Sequence, residues 1–385
     1  MNLLILGDRK PLNDSDDAFA TLIEAGHRVT FLHGGATSSL PFAMLADEGS
    51  LIEHIRSIVR ERKIDVIYFR VDWFDKLYAR HAATIFAADC GVPIVFGYHC
   101  HTCHRTPLEA LSLARADALV LINEESRAWF ADAYGISKPT MLVPSLFLPR
   151  RSFYEVPLRS KRSASDGVPH VVIPSNVIRT ANVPAKLDPN VPIENYVLDR
   201  YDYLRLCEQL LRRGVAVSVY GKFSVQGNTD ASAAEAAYRK LAEGFAGRLH
   251  FPGRVDQRDF ATELSQYDAA LLTGFVPYQP VPRFDHMNYQ LRLNPVLAAR
   301  LPSFVPAGTA SCMEREIADT RAGFIFESID EVADRLHDDA AMQRASNAAH
   351  AAQDRHSFEH WSPGMADFFG QVVRSHQNRS SARAA

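Results

Sequence analysis

The chain alternates short apolar runs with segments of helical periodicity. In its first half the runs are Leu3–Leu6, Val29–Leu32, Val66–Phe69, Pro93–Phe96 and Ala118–Ile122. They are almost uninterrupted by polar residues, the signature of strands covered on both faces. Between the second and third, Leu51, Ile52, Ile55, Ile58 and Val59 recur at helix spacing, and Gly26 and Gly91 stand where helices should end before the next strand. Buried strands joined by helical crossovers predict a parallel, doubly wound sheet.

The second half repeats the alternation. Its apolar runs are Val171–Pro174, Val215–Tyr220, Leu249–Phe251, Ala269–Leu272, Ser303–Pro306 and Gly323–Phe326, with helical periodicity near Leu204–Leu211 and Phe260–Tyr267. Between the halves the stretch RSKRSASDG, Arg159–Gly167, is rich in Ser and charge and poor in large apolar residues, which reads as a linker. No close repeat relates the halves, so the pattern predicts two like folds rather than a solenoid. The expected organisation is a Rossmann-like domain over 1–158, a linker over 159–169 and a second Rossmann-like domain over 170–355. A helix over 356–374 carries Met365, Phe368, Phe369, Val372 and Val373, which need a buried surface and predict packing back onto the first domain. The polar tail 375–385 reads as disordered.

Length supports this division, because 385 residues exceed what one hydrophobic core usually serves. The 47% hydrophobic and 23% charged composition is ordinary for a globular protein, and the net charge of -3 comes without a long run of one sign. Nucleic acid is therefore not an expected partner. Five cysteines in so long a chain lack the density of a disulfide scaffold and fit a reducing compartment. The opening MNLLILGDRK reads as a first buried strand and not as a signal peptide, and no apolar stretch approaches a membrane span. The expectation is a cytoplasmic protein, with contact at a membrane surface left open.

Short motifs carry the functional reading. From Val92 to Pro144 the sequence runs VPIVFGYHC, LARADALVLINEESRAWFADAYGI and MLVP; in the second half stand RLHFPGRVDQRDFATELSQYDAALLTG, LRLNPVLAARLPSFVPAG and EREIADTRAGFIF. In order and spacing these resemble the retaining glycosyltransferases of GT-B fold, the glycogen synthase-like and lipopolysaccharide enzymes of the family 4 type. The resemblance implies two Rossmann-like doubly wound sheets facing across a cleft. It further implies a retaining, metal-independent transfer of sugar from a nucleotide-sugar donor to a glycan, lipid-linked or other hydroxyl acceptor, with polysaccharide biosynthesis as the setting and no cofactor or metal.

By the same resemblance His99 falls at the catalytic histidine that faces the donor sugar. Arg179, Lys186, Lys222 and Arg292 are expected at the donor diphosphate, together with the turn Ala307, Gly308 and Thr309, whose backbone N–H groups can face phosphate. Arg254 and Val255 match the loop that holds the base. The chain also departs from the pattern: Met287 and Pro295 stand where the family has two glutamates, the second of which usually holds the ribose, and Arg300 and Ser145 replace a glycine and an asparagine. These departures keep open a sugar-nucleotide epimerase of the same fold and a non-catalytic binding protein or scaffold.

The chemistry itself dictates some of this choice. A sugar nucleotide leaves as a diphosphate, so negative charge grows on the leaving group while positive charge grows at the anomeric carbon. Cations and backbone donors beyond the carboxyl ends of the strands are suited to that task. Asp14, His33 and Gly34 follow the first two strands on the acceptor side, although helix capping by Asp14, Asp16 and Asp17 and a tight Gly turn after His33 explain them equally well. The cluster YHCHTCHR at Tyr98–Arg105 contains C-x-x-C-H, but haem attachment requires export and zinc usually requires a second ligand cluster, so neither is expected.

Overall fold

The computed structural model describes residues 1–7, 19–33, 48–71, 85–98, 107–145, 148–175, 177–180, 203–221, 223–226, 231–245, 247–253, 255–272, 289–309 and 311–384. The chain divides into two units, Met1–Arg150 with Arg355–Ala385, and Arg151–Asp354.

The first unit is built on six strands, β1 (Asn2–Gly7), β2 (Arg28–His33), β3 (Val66–Val71), β4 (Ile94–Tyr98), β5 (Ala118–Leu121) and β6 (Thr140–Leu142). All pair in parallel, in the order β2-β1-β3-β4-β5-β6. Leu3 to Leu6, Val66 to Phe69 and Val95–Phe96 are buried, as apolar strands covered on both faces must be. The connections alternate with helices, among them Glu48–Glu61 and Glu124–Tyr134. The second of these starts where Asn123 Oδ1 accepts from the Ser126 N–H (2.8 Å) and stops at Gly135, whose φ of +63° is cheap only for glycine.

The carboxyl-terminal helix Phe358–Ala384 belongs to the first unit. Phe358 packs on Phe19 with ring centroids 4.9 Å apart, and Phe369 packs on Tyr68 at 5.3 Å. The polar tail read as disordered is helical through Ala384, a correction with a physical cause. Its Gln, Arg and Ala residues are adequate helix formers, and His376 and Arg379 anchor it on Asp117, whose other oxygen accepts from the Ile94 N–H.

The second unit contains β7 (His170–Pro174), β8 (Val177–Thr180), β9 (Ala216–Tyr220), β10 (Phe223–Gln226), β11 (Leu249–Gly253), β12 (Ala269–Leu271), β13 (Ser303–Pro306) and β14 (Gly323–Phe326). Six of them form a parallel sheet in the order β11-β9-β7-β12-β13-β14, while β8 and β10 pair only with each other. Counted within the sheet this is 3-2-1-4-5-6, the dinucleotide-binding order, with its reversal point between β7 and β12. One core gathers Val171, Ile173, Leu206, Leu210, Val217, Leu271, Phe304 and Val332. Strands β13 and β14 approach so closely that a Cβ on Gly323 would run into the Ser303 backbone, 2.7 Å from its nitrogen.

The stretch Arg159–Gly167 is not a free linker: it is tied into the second unit. Arg159 N donates to Ser265 Oγ (2.8 Å), Arg162 Nε to Gln266 Oε1 (2.8 Å) and Ser163 Oγ to Asp268 Oδ1 (2.6 Å). Lys161 Nζ donates to the carbonyls of Ser265 and Tyr267, and burial lowers its pKa to about 8 even though Asp268 pulls the other way. Arg159, Lys161, Arg162 and Ser163, which suggest solvation from composition, are matched by the turn before β12, while Ser165 and Asp166 bond within their own stretch and to His170.

Candidate functional site

Open parallel sheets collect ligands beyond the carboxyl ends of their strands, at the point where strand order reverses. In the second unit that edge follows β7, β12 and β13. The turn after β13 is shaped by sequence: Gly308 takes φ +71°, and Thr309, 5% exposed, folds back so that its Oγ1 donates to Pro306 O (2.8 Å). The Ala307 N–H is committed to Phe326 O (2.9 Å), because the β13–β14 ladder continues one residue past the strand. No described residue accepts from the Gly308 or Thr309 N–H, and the helix Ser311–Thr320 begins just beyond. A helix amino end offers donors and a partial positive charge, here already shared with Glu314 in its first turn.

Arg292 is held at the same edge. Its guanidinium donates to Gln290 Oε1 (2.7 Å), while Gln290 Nε2 reaches the Leu272 carbonyl at 3.4 Å, immediately after β12. The Gln290 N–H meets the Met313 sulfur at 3.4 Å, joining this turn to the helix that follows Thr309. Arg292, Gln290, Gly308 and Thr309 thus gather around the carboxyl ends of β12 and β13. A half-buried guanidinium with backbone donors nearby can neutralise an oxyanion and orient it.

Of the sequence-predicted residues, Arg292 is tied through Gln290 to the end of β12, and Ala307, Gly308 and Thr309 follow the adjacent strand β13. Arg179 is expected in a loop; its backbone instead lies within β8, opposite Val225 of β10. Val255 is half-buried in the turn before the helix Gln257–Leu264. His33 ends β2 opposite Gly7 of β1. His99, Lys186, Lys222, Arg254, Asp14 and Gly34 lie outside the described residues, as does Met287.

Arg300, standing where the resembled family has glycine, adopts φ +55°, the left-handed conformation glycine favours. Pro295 lies in the helix Leu293–Ala298. Among the described residues no group of three or more His, Cys, Asp or Glu side chains could hold a metal ion. No described helix is long and apolar enough to cross a membrane.

Sequence reasoning missed Gln290, which organises the Arg292 turn, and Arg70 of the first unit. Arg70 lies in β3 beside Gly7 of β1 and Gly97 of β4, near the carboxyl edge where that sheet reverses its order. It is 2% exposed, with its guanidinium 5.6 Å from the Phe31 ring centroid and 5.8 Å from that of Phe19. Burial drives the pKa of the neighbouring Tyr68 hydroxyl far up, with Arg70 opposing only in part. An arginine inside the apolar run VIYFRV was the available signal, since charge is rarely placed in a buried strand without a task.

No family model matches the chain, and no curated protein matches it by sequence. Solved structures match over nearly its full length. HepE of Anabaena in complex with UDP-glucose is 15% identical, covers 98% of this chain and 100% of its own, and gives a TM-score of 0.56. The fold is GT-B. A glycosyltransferase from Rickettsia africae (10% identity, 97% and 98% covered, TM-score 0.60) and sucrose-phosphate synthase from Thermosynechococcus elongatus (12% identity, 99% and 100% covered, TM-score 0.58) share it. At such identities the likeness concerns architecture, and two six-stranded parallel sheets of Rossmann type are what it consists of.

Proposed function

We propose that the chain is a glycosyltransferase that binds a nucleotide sugar at the carboxyl edge of its second sheet and transfers the sugar to a hydroxyl acceptor. The observation that carries this reading is the cluster of Arg292, Gln290 and the Gly308–Thr309 turn at the edge where the 3-2-1-4-5-6 sheet reverses. That HepE, of the same fold, is seen with UDP-glucose supports the ligand class.

In this reading Arg292 and the turn N–H groups hold the diphosphate. They bind it more strongly as its charge grows, which lowers the barrier rather than merely the ground state. The bond from the anomeric carbon to the diphosphate oxygen breaks, the acceptor oxygen bonds to that carbon, and its proton passes to the departing diphosphate. His99 is assigned to the sugar, Lys186, Lys222 and Arg179 to the diphosphate, Arg254 and Val255 to the base, and Asp14, His33 and Gly34 to the acceptor. Retention of anomeric configuration and independence of metal are part of the proposal, as are a glycan or lipid-linked acceptor, peripheral membrane contact and a cytoplasmic site of action.

Pro295 favours a second reading, a non-catalytic scaffold or assembly protein, because a residue with no side-chain acceptor occupies the place of a ribose-holding glutamate. Isothermal titration with UDP, GDP, ADP and CMP sugars separates the readings. A transferase binds one family of donors and slowly releases the nucleoside diphosphate. A scaffold binds none, and an epimerase returns the isomeric sugar nucleotide. Arg292→Ala should weaken binding by about 1.5–3 kcal/mol while the protein remains folded; unchanged affinity would move the diphosphate elsewhere.

A further inference from the structure

The sheet of the second unit ends laterally on two strands, β11 and β14, and the sequence treats them differently. An edge strand offers unpaired backbone groups, which proteins ordinarily blunt with proline, charge or a bulge. At β11 this is done: its sequence LHFPG carries Pro252, and its register against β9 shifts between His250 and Gly253. Strand β14, GFIF, has neither proline nor charge, keeps an unbroken register against β13, and among the described residues pairs with no other strand. Ser303 N donates to Ala322 O (3.0 Å) and Ala307 N to Phe326 O (2.9 Å). The even-numbered residues of β14 therefore turn their backbone groups to β13, and Gly323 and Ile325 turn theirs outward. Along this edge runs a groove of about 630 Å³, lined by Ile317 and Arg321 at the end of the helix Ser311–Thr320 and by Glu331, Asp334 and Arg335 of the helix Ile329–Leu336. Ile325 stands 42% exposed in it.

We infer that β14 is the interface of a homodimer, in which two copies of the chain pair their β14 strands antiparallel about a two-fold axis and join their sheets edge to edge. Backbone chemistry and charge set the register. Only residues with outward groups can exchange hydrogen bonds, so Gly323 of one copy pairs with Ile325 of the other, and the two Phe324 residues meet at the axis in the non-bonded pair, where side chains approach closest. Phe324 is half-buried, its ring centroid 5.1 Å from that of Phe304, so the new contact extends an aromatic row. The same register sets Arg321 of each copy opposite Glu327 of the other, and both are exposed. Neither neighbouring register does so. Gly323 against Gly323 faces Arg321 with Ile325, and Ile325 against Ile325 pairs Gly323 with Glu327, whose N–H is already given to Glu331 Oε2 (3.1 Å). A two-fold contact needs a patch that is cationic at one end and anionic at the other, and this strand provides it, so the fitting occupant is a second copy rather than a foreign strand.

Sedimentation velocity of the full chain over a dilution series tests this. At tens of micromolar the wild type should sediment at twice the mass of the chain and dissociate on dilution; a monomer throughout overturns the inference. Ile325→Pro removes an outward donor while leaving the ladder to β13 intact, and should be monomeric under the same conditions. A folded Ile325→Pro chain that dimerises like the wild type places the interface elsewhere and overturns the inference. The charge pair decides the matter even if that variant fails to fold. Arg321→Glu sets two carboxylates against each other across the axis and should raise the dimer dissociation constant by ~10-fold, whereas adding Glu327→Arg to it should restore the wild-type value. Such a rescue cannot come from a folding defect in either residue alone. A double variant that associates no better than Arg321→Glu, or an Arg321→Glu chain that associates as tightly as the wild type, overturns the register and the inference with it.

Discussion

The two units use the same materials, six parallel apolar strands with helical crossovers, yet finish their carboxyl edges differently. In the first unit the edge near the order reversal is aromatic and closed. Arg70 is buried against Phe19 and Phe31, Tyr98 is buried beside it on β4, and the Tyr68 ring comes so close to Gly97 that a Cβ there would lie 2.8 Å from it. In the second unit the corresponding edge is polar, with Arg292 bonded to Gln290 and a Gly308–Thr309 turn whose N–H groups meet no described acceptor. A sheet whose edge is sealed by packing gains stability there. One that keeps polar groups waiting for a ligand gives some up, the usual trade at a binding site.

The largest effect that could break this contrast concerns the carboxyl-terminal helix. A chain ending at Arg355 loses Phe358, Met365, Phe369 and Val372, all buried, from the first unit. Large-to-small changes of single core residues cost about 2–5 kcal/mol, so removing four should unfold that unit under ordinary conditions. No tryptophan falls between Arg151 and Asp354, so tryptophan fluorescence reads the unfolding of the first unit separately from the circular dichroism of the whole chain. Native-like fluorescence from the truncated chain would show that the helix contributes nothing.

A smaller effect belongs to the amino edge of the second unit. Lys161 has a folded pKa of about 8 against an ordinary 10.5, because burial disfavours its charged form. Unfolding therefore takes up a proton between those values, and the penalty of the buried charge, present in full below pH 8, is relieved as pH rises toward 10.5. Relative to a Lys161→Met variant, the stability of the wild type should climb across that window by at most about 3 kcal/mol, read by urea unfolding followed at the far-ultraviolet band. Parallel pH profiles for the two proteins would refute the assignment.

The smallest effect tests backbone alone. Arg300→Gly removes the strain of a left-handed arginine but adds freedom to the unfolded chain, so the net gain should not exceed about 1 kcal/mol. A loss of that size in the same urea titration would mean that the arginine side chain compensates its own backbone.

Much of the architecture was legible in the sequence because burial on both faces leaves unbroken runs such as Leu3–Leu6 and Val171–Pro174. Strands β6, β8 and β10 were not, because β6 is only half-buried and β8 and β10 pair only with each other across a distant part of the chain. Strand order, too, is a matter of long-range pairing that no local pattern carries. In the candidate site Arg292 and the Ala307–Thr309 turn could be found from motif order. Gln290 could not, since it is a lone polar residue in a largely apolar segment and only the three-dimensional arrangement reveals the Leu272 carbonyl and the Arg292 guanidinium that it meets. The Ser- and Arg-rich stretch at Arg159–Gly167 misled for the converse reason: its partners lie about a hundred residues away, at Glu263 to Asp268.

Hydrogen–deuterium exchange on the wild-type chain, with and without a saturating nucleotide sugar that it binds, tests the central claim most directly. Binding at the carboxyl edge of the second sheet should slow exchange in the segments 289–297 and 305–314, because the ligand covers the Arg292 turn and engages the Gly308 and Thr309 N–H groups. Protection confined to the first unit, or a bound nucleotide sugar that leaves both segments unchanged, would contradict the account.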